Sequence, residues 1–496
     1  MPLNVSTMTM KGVLQRPPPR HMRSRGDEGF RTPTFEDAEH DLSTGSNGTL
    51  LSQPTAQALR DAHTSALESL QGSSTRVITG TIARKNSKIN DTESADYVET
   101  DSSSAVNLSW RERIRHFTWA YFTLTMATGG IANALYAVPY RFRGLETIGI
   151  IVFLFNVVLY LAIWGLLITR FYLYPYTFKA SFLHPTESLF VPACIVSFGT
   201  ILINVSQYGP ENTGYWLAKA VGILYWIDAI LAVIFSAGIY LLLWSTQTFT
   251  IAQMTPIWIF PAYPMLIIGP HAGILSSKLE PSRCLTIIIG GMTIQGVGFL
   301  VSLMVYSAFI YRLMSQKLPK ENVRPGMFVS VGPSAFTVSG IVNMASEMKR
   351  CFPNNFMGNG ALAADVLRFV INFGALWLWG LAIFFFFIAS FAHWSTIGHG
   401  RIKFSMAWFS FVFPNTALVS ATFAIGNAFS CKPILIVGCV MVFPLILMYI
   451  FVFSMMVRAI VLRHILWPQK GEDKDEGGFE MNRVQPEIPA IRTMEV

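Results

Sequence analysis

Charge is what this chain has least of. Only 13% of its 496 residues are Asp, Glu, Lys or Arg, against 52% that are apolar, and a soluble protein of that size cannot solvate its surface with so little charge. Lipid must be the solvent over most of the chain. Catalytic signatures are missing as well: neither HExxH nor GxSxG occurs, so the sequence offers no catalytic residues and argues against an enzyme. Its five cysteines are scattered, with no CxxC pair and no metal-ligand spacing, and neither a metal nor another cofactor is expected. The opening Met1-Pro2-Leu3-Asn4 lacks the basic and apolar stretches of a cleavable signal peptide, which leaves insertion to the first membrane helix.

What is present is a series of long apolar runs. A bilayer core of ~30 Å takes ~20 apolar residues per helix, and ten segments meet that test, starting near residues 117, 147, 188, 214, 252, 285, 327, 362, 404 and 433. The expected organisation is a disordered cytoplasmic tail over 1–107, a ten-helix domain over 108–467, and a second cytoplasmic tail over 468–496. The first tail is rich in Ser, Thr, Asp, Arg and Pro and has no core-forming run. It holds Asn-X-Ser/Thr sequons at Asn4, Asn47, Asn90 and Asn107, and a basophilic-kinase pattern at Arg84-Lys85-Asn86-Ser87 of a kind that arises often by chance.

An even helix count puts both tails on one side. Lys and Arg are commoner in the connections on that side, among them Arg111, Arg113, Arg115, Arg170, Lys317, Lys320 and Arg324, so both termini are expected in the cytoplasm. This bias accounts for much of the net charge of +8, and no nucleic-acid partner is needed to explain it. No retention signal is evident, which makes the plasma membrane the default location. Cys284, Cys351 and Cys431 fall near outer loops; one disulfide is compatible with that placement, but free thiols are the expectation.

Helix breakers are unevenly distributed. The odd segments carry Gly129-Gly130, Pro192, then Pro256, Pro261, Pro264 and Pro270, then Gly332-Pro333, and Pro414; segments two, four, six and eight have no proline, although Pro444 lies in segment ten. Proline frees a carbonyl that hydrocarbon cannot satisfy, so interrupted helices belong where protein or a water-filled cavity covers them. The expected fold is therefore an all-α membrane protein of ten transmembrane helices in five hairpins, with kinked inner helices around a central pore and regular outer helices facing lipid. Gly129, Gly130, Pro192, Pro261, Gly332 and Pro333 are the expected pore-lining kinks. Half-helix N-termini in such a ring carry positive partial charge and hold an anion without trapping it.

Four ordered motifs resemble the fungal malic acid (C4-dicarboxylate) transporters, in the tellurite-resistance and dicarboxylate transporter family that is related to the plant slow-type anion channels. They are His116-Phe117-Thr118-Trp119 through Gly129-Gly130-Ile131, Pro256 to Pro261, Arg324-Pro325-Gly326-Met327-Phe328 leading to Val331-Gly332-Pro333-Ser334, and Trp408 to Asn415. The resemblance covers roughly residues 108 to 468. It implies transport of a small organic anion such as malate or succinate, coupled to protons, by a homotrimer in the bilayer, with a passive anion channel or sulfite exporter as the alternative. It also implies that Phe413, beside Pro414, closes the conduit; a phenyl ring dewets a constriction without binding an anion.

Charges within spans are functional candidates by default. Asp228, mid-segment four, and His271, at the outer end of segment five, are the candidates for proton coupling, each with a structural reading beside it. Lys219 reads as snorkelling to headgroups, and Glu347 stays ambiguous. Arg141 and Arg143, with Lys278, Arg283, Lys349 and Arg350, either form an electropositive mouth that attracts or binds substrate or make ordinary headgroup contacts. His393 and His399 are expected in a loop.

Overall fold

The computed structural model describes residues 109–246, 251, 254–394 and 403–467, all within the compact unit Ser102–Val496. Both expected tails, the tail sequons, the kinase pattern and His399 lie outside those residues. Ten principal helices follow one another: α1 (Phe122–Ala137), α2 (Leu145–Leu173), α3 (Ala193–Tyr208), α4 (Tyr215–Thr246), α5 (Tyr263–Ser276), α6 (Pro281–Gln316), α7 (Gly332–Cys351), α8 (Gly360–Trp394), α9 (Phe413–Ala428) and α10 (Lys432–Val461). No strand occurs among the described residues. Nine helical segments there are long and apolar enough to cross a membrane. The exception is α1, whose 16 residues are diluted by Thr, Gly and Asn.

Burial separates the helices into two classes. The spans containing α3, α5, α7 and α9 are 83–89% buried, whereas α2, α4, α6, α8 and α10 are 17–39% buried; α1 buries 13 of its 16 residues. The buried five form a closed ring of contacts, α1 on α3, α3 on α5, α5 on α7, α7 on α9 and α9 back on α1. Each ring helix also packs on the long helix that follows it in sequence. Outer faces are apolar and exposed, as at Phe384 and Phe387, while Phe385 between them is buried; a helix with lipid on one side and protein on the other has this pattern.

Four of the ring helices begin with a 3-10 stretch: Trp119–Tyr121 before α1, Pro256–Ala262 before α5, Glu321–Val331 before α7 and Met406–Phe411 before α9. Before α3 stands the short helix Glu187–Phe190. Prolines collect at these junctions. Pro261 lies inside a 3-10 stretch one residue before its end, Pro192 is the N-cap residue of α3, and Pro264, Pro333 and Pro414 occupy the first turns of α5, α7 and α9, where a missing N–H costs no helical hydrogen bond. By contrast α1 runs through Gly129 and Gly130 without interruption. Their role there is close approach: a Cβ on Gly129 would meet Asn156 and Thr200, and one on Gly130 would meet Thr416.

Two expectations about loops are corrected. Cys284 and Cys351 form a disulfide, with Cα atoms 5.7 Å apart, because the start of α6 and the end of α7 lie side by side. Arg350 secures the same corner by donating to the carbonyls of Ser276 and Leu279. His393 is not in a loop. Helix α8 extends to Trp394, and His393 is buried there, with Nδ1 2.7 Å from the Ala389 carbonyl and its ring against Phe328 and Phe411.

Candidate functional site

Phe413 is the first residue of α9, and the chain turns into it through Val412 at φ −107° and ψ −64°. That turn aims the ring at two other aromatics. Its centroid lies 5.1 Å from Phe336 of α7 and 6.1 Å from Tyr263, the first residue of α5; Tyr263 and Phe336 are 6.0 Å apart edge-on. Three ring helices thus converge on one apolar plug. Tyr263 is anchored by its hydroxyl donating to the Val329 carbonyl at 2.6 Å. Thr416 donates to the Phe413 carbonyl and Asn415 to that of Phe411, which stabilises the junction beside Pro414 with side-chain bonds. Phe260, stacked on Tyr263, and Phe190 continue the aromatic column toward the starts of the ring helices.

Asp228 and His271 come to the same seam, and it lies behind the ring wall. Asp228 is fully buried on the outer helix α4 and faces Gly199 of α3, where an added Cβ would stand 3.0 Å from its Oδ2. Neither carboxylate oxygen has a hydrogen-bond partner. His271 of α5 places Nε2 3.3 Å from Ser206 Oγ of α3, and its ring meets Tyr225 of α4 edge-on at 5.2 Å. Tyr225 precedes Asp228 by one turn on the same face. The two groups therefore share the seam of α3, α4 and α5 and do not face the ring interior.

At the ends of α5 and α7 most cations are already engaged. Lys278 pairs with Glu211 at 2.6 Å, Lys349 with Asp365 at 3.6 Å, and Arg350 with Glu347 at 2.9 Å. Burial works against the Lys278 ammonium, but the Glu211 carboxylate and the Tyr136 hydroxyl together outweigh it and hold its pKa above the ordinary lysine value. Arg141 differs: it donates to the Tyr136 carbonyl at 2.8 Å and lies over that ring, both uncharged partners. Its charge is not cancelled there, and Arg143 beside it is exposed. Lys219 is exposed too, its ammonium over the Tyr215 ring.

One buried pair escapes a reading by position along the chain. Arg170, counted above with the loop cations, is fully buried in the last turn of α2 and holds Glu187 through two contacts, the shorter at 2.6 Å. The same guanidinium donates to the Phe117 carbonyl, and Ser181 donates to Glu187. This knot ties α2, the entry to α1 and the entry to α3 together. Among the described residues no group of three His, Cys, Asp or Glu side chains is gathered as a metal site.

Comparison with known proteins places this arrangement. The chain is 33% identical over 363 residues to a malic acid transport protein of Schizosaccharomyces pombe, covering 73% of this chain and 82% of that protein. A putative malic acid transport protein of the same organism is also 33% identical, over 73% of this chain and 84% of its own length. A sulfite efflux pump of Arthroderma benhamiae is 26% identical over 69% and 91% respectively. The family model described as voltage-dependent anion channel, SLAC1, matches residues 116–457, a stretch that spans all five ring helices and ends in α10, and the chain belongs to that family.

Proposed function

We propose that this protein carries C4-dicarboxylates such as malate across the plasma membrane, coupled to protons. The observation that carries the reading is the 33% identity to a malic acid transport protein over four-fifths of that protein's length. The aromatic plug of Phe413, Phe336 and Tyr263 supports it, since a ring of helices stopped by uncharged rings lets an anion pass without trapping it. In this reading α1 is the tenth span, the ring and its outer partners are five hairpins around a central conduit, and the 3-10 junctions are the bends of its inner helices. Assembly as a homotrimer rests on the family resemblance.

The same geometry supports an orientation. With ten spans the termini share one side, and the Cys284–Cys351 bridge lies at the opposite ends of α6 and α7. Disulfides persist on the oxidising side of a membrane, which supports the reading that the termini are cytoplasmic. Arg141 and Arg143 then stand at the external mouth of α1. Exchanging both for glutamine is expected to lower kcat/KM for external malate several-fold at low salt and much less at high salt, because steering by exposed charge is screened. An equal loss at both ionic strengths would remove them from the entry.

Uptake of labelled malate into proteoliposomes tests the function. An inward proton gradient should drive accumulation above equilibrium, and a protonophore should abolish it. Asp228, buried without a cation, is the first coupling candidate and His271 the second: Asp228→Asn is expected to leave equilibrating malate exchange in place while removing gradient-driven accumulation. Sulfite flux without malate flux would favour the alternative to which the 26% identity to a sulfite efflux pump points.

A further inference from the structure

We infer that four uncharged side chains in the ring, Asn133, Gln207, Asn343 and Ser420, form a carboxylate-binding belt above the aromatic plug. The inference rests on the transport reading and names the substrate site within it.

Register puts the four at one level. Phe336 and Phe413 lie against each other, which aligns α7 with α9. Seven residues further along, Asn343 and Ser420 stand on the same faces, two turns or ~10.5 Å toward the outer end. Gly130 packs on Thr416 and aligns α1 with α9; one turn beyond that contact come Asn133 and again Ser420. Gln207 of α3 joins the level by donating to the Asn133 carbonyl oxygen, and Asn343 is set against Gly273 of α5. All five ring helices therefore contribute to or brace one belt.

The hydrogen bonding of these groups points to a ligand. The Ser420 hydroxyl is buried, 7% exposed as a residue, and has no partner, although a helical serine ordinarily bonds back to its own helix. With Asn133 Oδ1 occupied by Gln207, the Asn133 amide hydrogens are directed elsewhere; Asn133 and Asn343 are only half-buried. The donors fall in two pairs, Asn133 with Gln207 on α1 and α3, and Asn343 with Ser420 on α7 and α9. A molecule with a carboxylate at each end matches two donor pairs better than a small oxyanion does. Neutral donors also suit transport, because each hydrogen bond to a charged group contributes modestly and no fixed cation holds the substrate in place.

The test is malate and sulfite transport by the full-length protein in proteoliposomes, comparing wild type with Ser420→Ala, Asn343→Leu and Ser420→Thr. Ser420→Ala and Asn343→Leu are each expected to raise KM for malate about tenfold, the effect of one lost hydrogen bond to a charged group, with kcat and sulfite transport changed less than about twofold. Ser420→Thr, which keeps the hydroxyl, should restore the malate KM. Unchanged malate KM in both variants would overturn the belt, and so would an equal loss of malate and sulfite transport in correctly folded protein. Wild type that carries sulfite but no malate would refute the dicarboxylate reading itself, a result distinct from either.

Discussion

Glu187→Ala is expected to cost about 3–5 kcal/mol, because it breaks a buried ion pair and takes the Glu187 carboxylate from the Arg170 guanidinium. Arg170 is completely buried, and its partner reaches it from the short helix ahead of α3, 17 residues away. Losing the carboxylate also removes one of the two acceptors of the Ser181 hydroxyl, which keeps the Thr177 carbonyl. A fall in Tm on the order of 10 °C in detergent is the corresponding readout. The double exchange Arg170→Met with Glu187→Leu is expected to recover most of that loss, since apolar side chains of similar volume replace a buried pair at little cost. A Glu187→Ala variant as stable as the wild type would show the pair to be dispensable.

That pair also shows where the sequence stops being legible. Hydropathy locates the starts of the long outer helices to within about four residues, because the length of an apolar run is a property of one segment, but it starts the ring helices about five to eleven residues early, since their 3-10 and short helical lead-ins belong to the same runs. It ranks α1 lowest for a physical reason: Thr125, Gly129 and Gly130 face protein, so this helix needs contact surfaces more than lipid solubility. Arg170 and Glu187 carry no such local mark. A basic residue at the end of a span reads as a loop cation, and it is the short helix Tyr176–Leu183 that brings Glu187 back onto it. The Cys284–Cys351 bridge, 67 residues apart, depends in the same way on two helix ends meeting. His393 reads as a loop residue because α8 continues beyond the length a bilayer requires.

Functional side chains divide along similar lines. Phe413 is marked by the adjacent Pro414 and by family resemblance, but its partners Tyr263 and Phe336 are set by helix register across the ring. Asp228 stands out as a lone carboxylate in an apolar segment. That it faces Gly199 at an outer seam, away from the ring interior, depends on rotation of α4 about its axis, to which hydropathy is blind because both faces of this helix are apolar. Asn133, Asn343 and Ser420 attract no notice in the sequence, since polar uncharged residues are frequent in helices that pack on other helices.

Phe413→Ala is expected to have the largest effect on transport. If the ring of Phe413 closes the conduit, its removal opens the space between Phe336 and Tyr263 to water, and passive malate flux should rise at least about tenfold, because a dewetted constriction stops conducting only while it stays narrow and apolar. Coupled accumulation should fall at the same time, since a leak dissipates whatever the proton gradient builds. The competing outcome is purely structural: Phe413 is 3% exposed, and truncating a packed phenylalanine costs about 3–5 kcal/mol, which would lower Tm and total flux together. Phe413→Leu separates the two, because leucine preserves most of the apolar volume yet leaves a smaller plug. A gate gives an intermediate leak with near-native stability, and Phe336→Ala, which removes the neighbouring wall of the same plug, should reproduce the leak in part. Flux that falls in step with Tm through the series would assign Phe413 to packing alone.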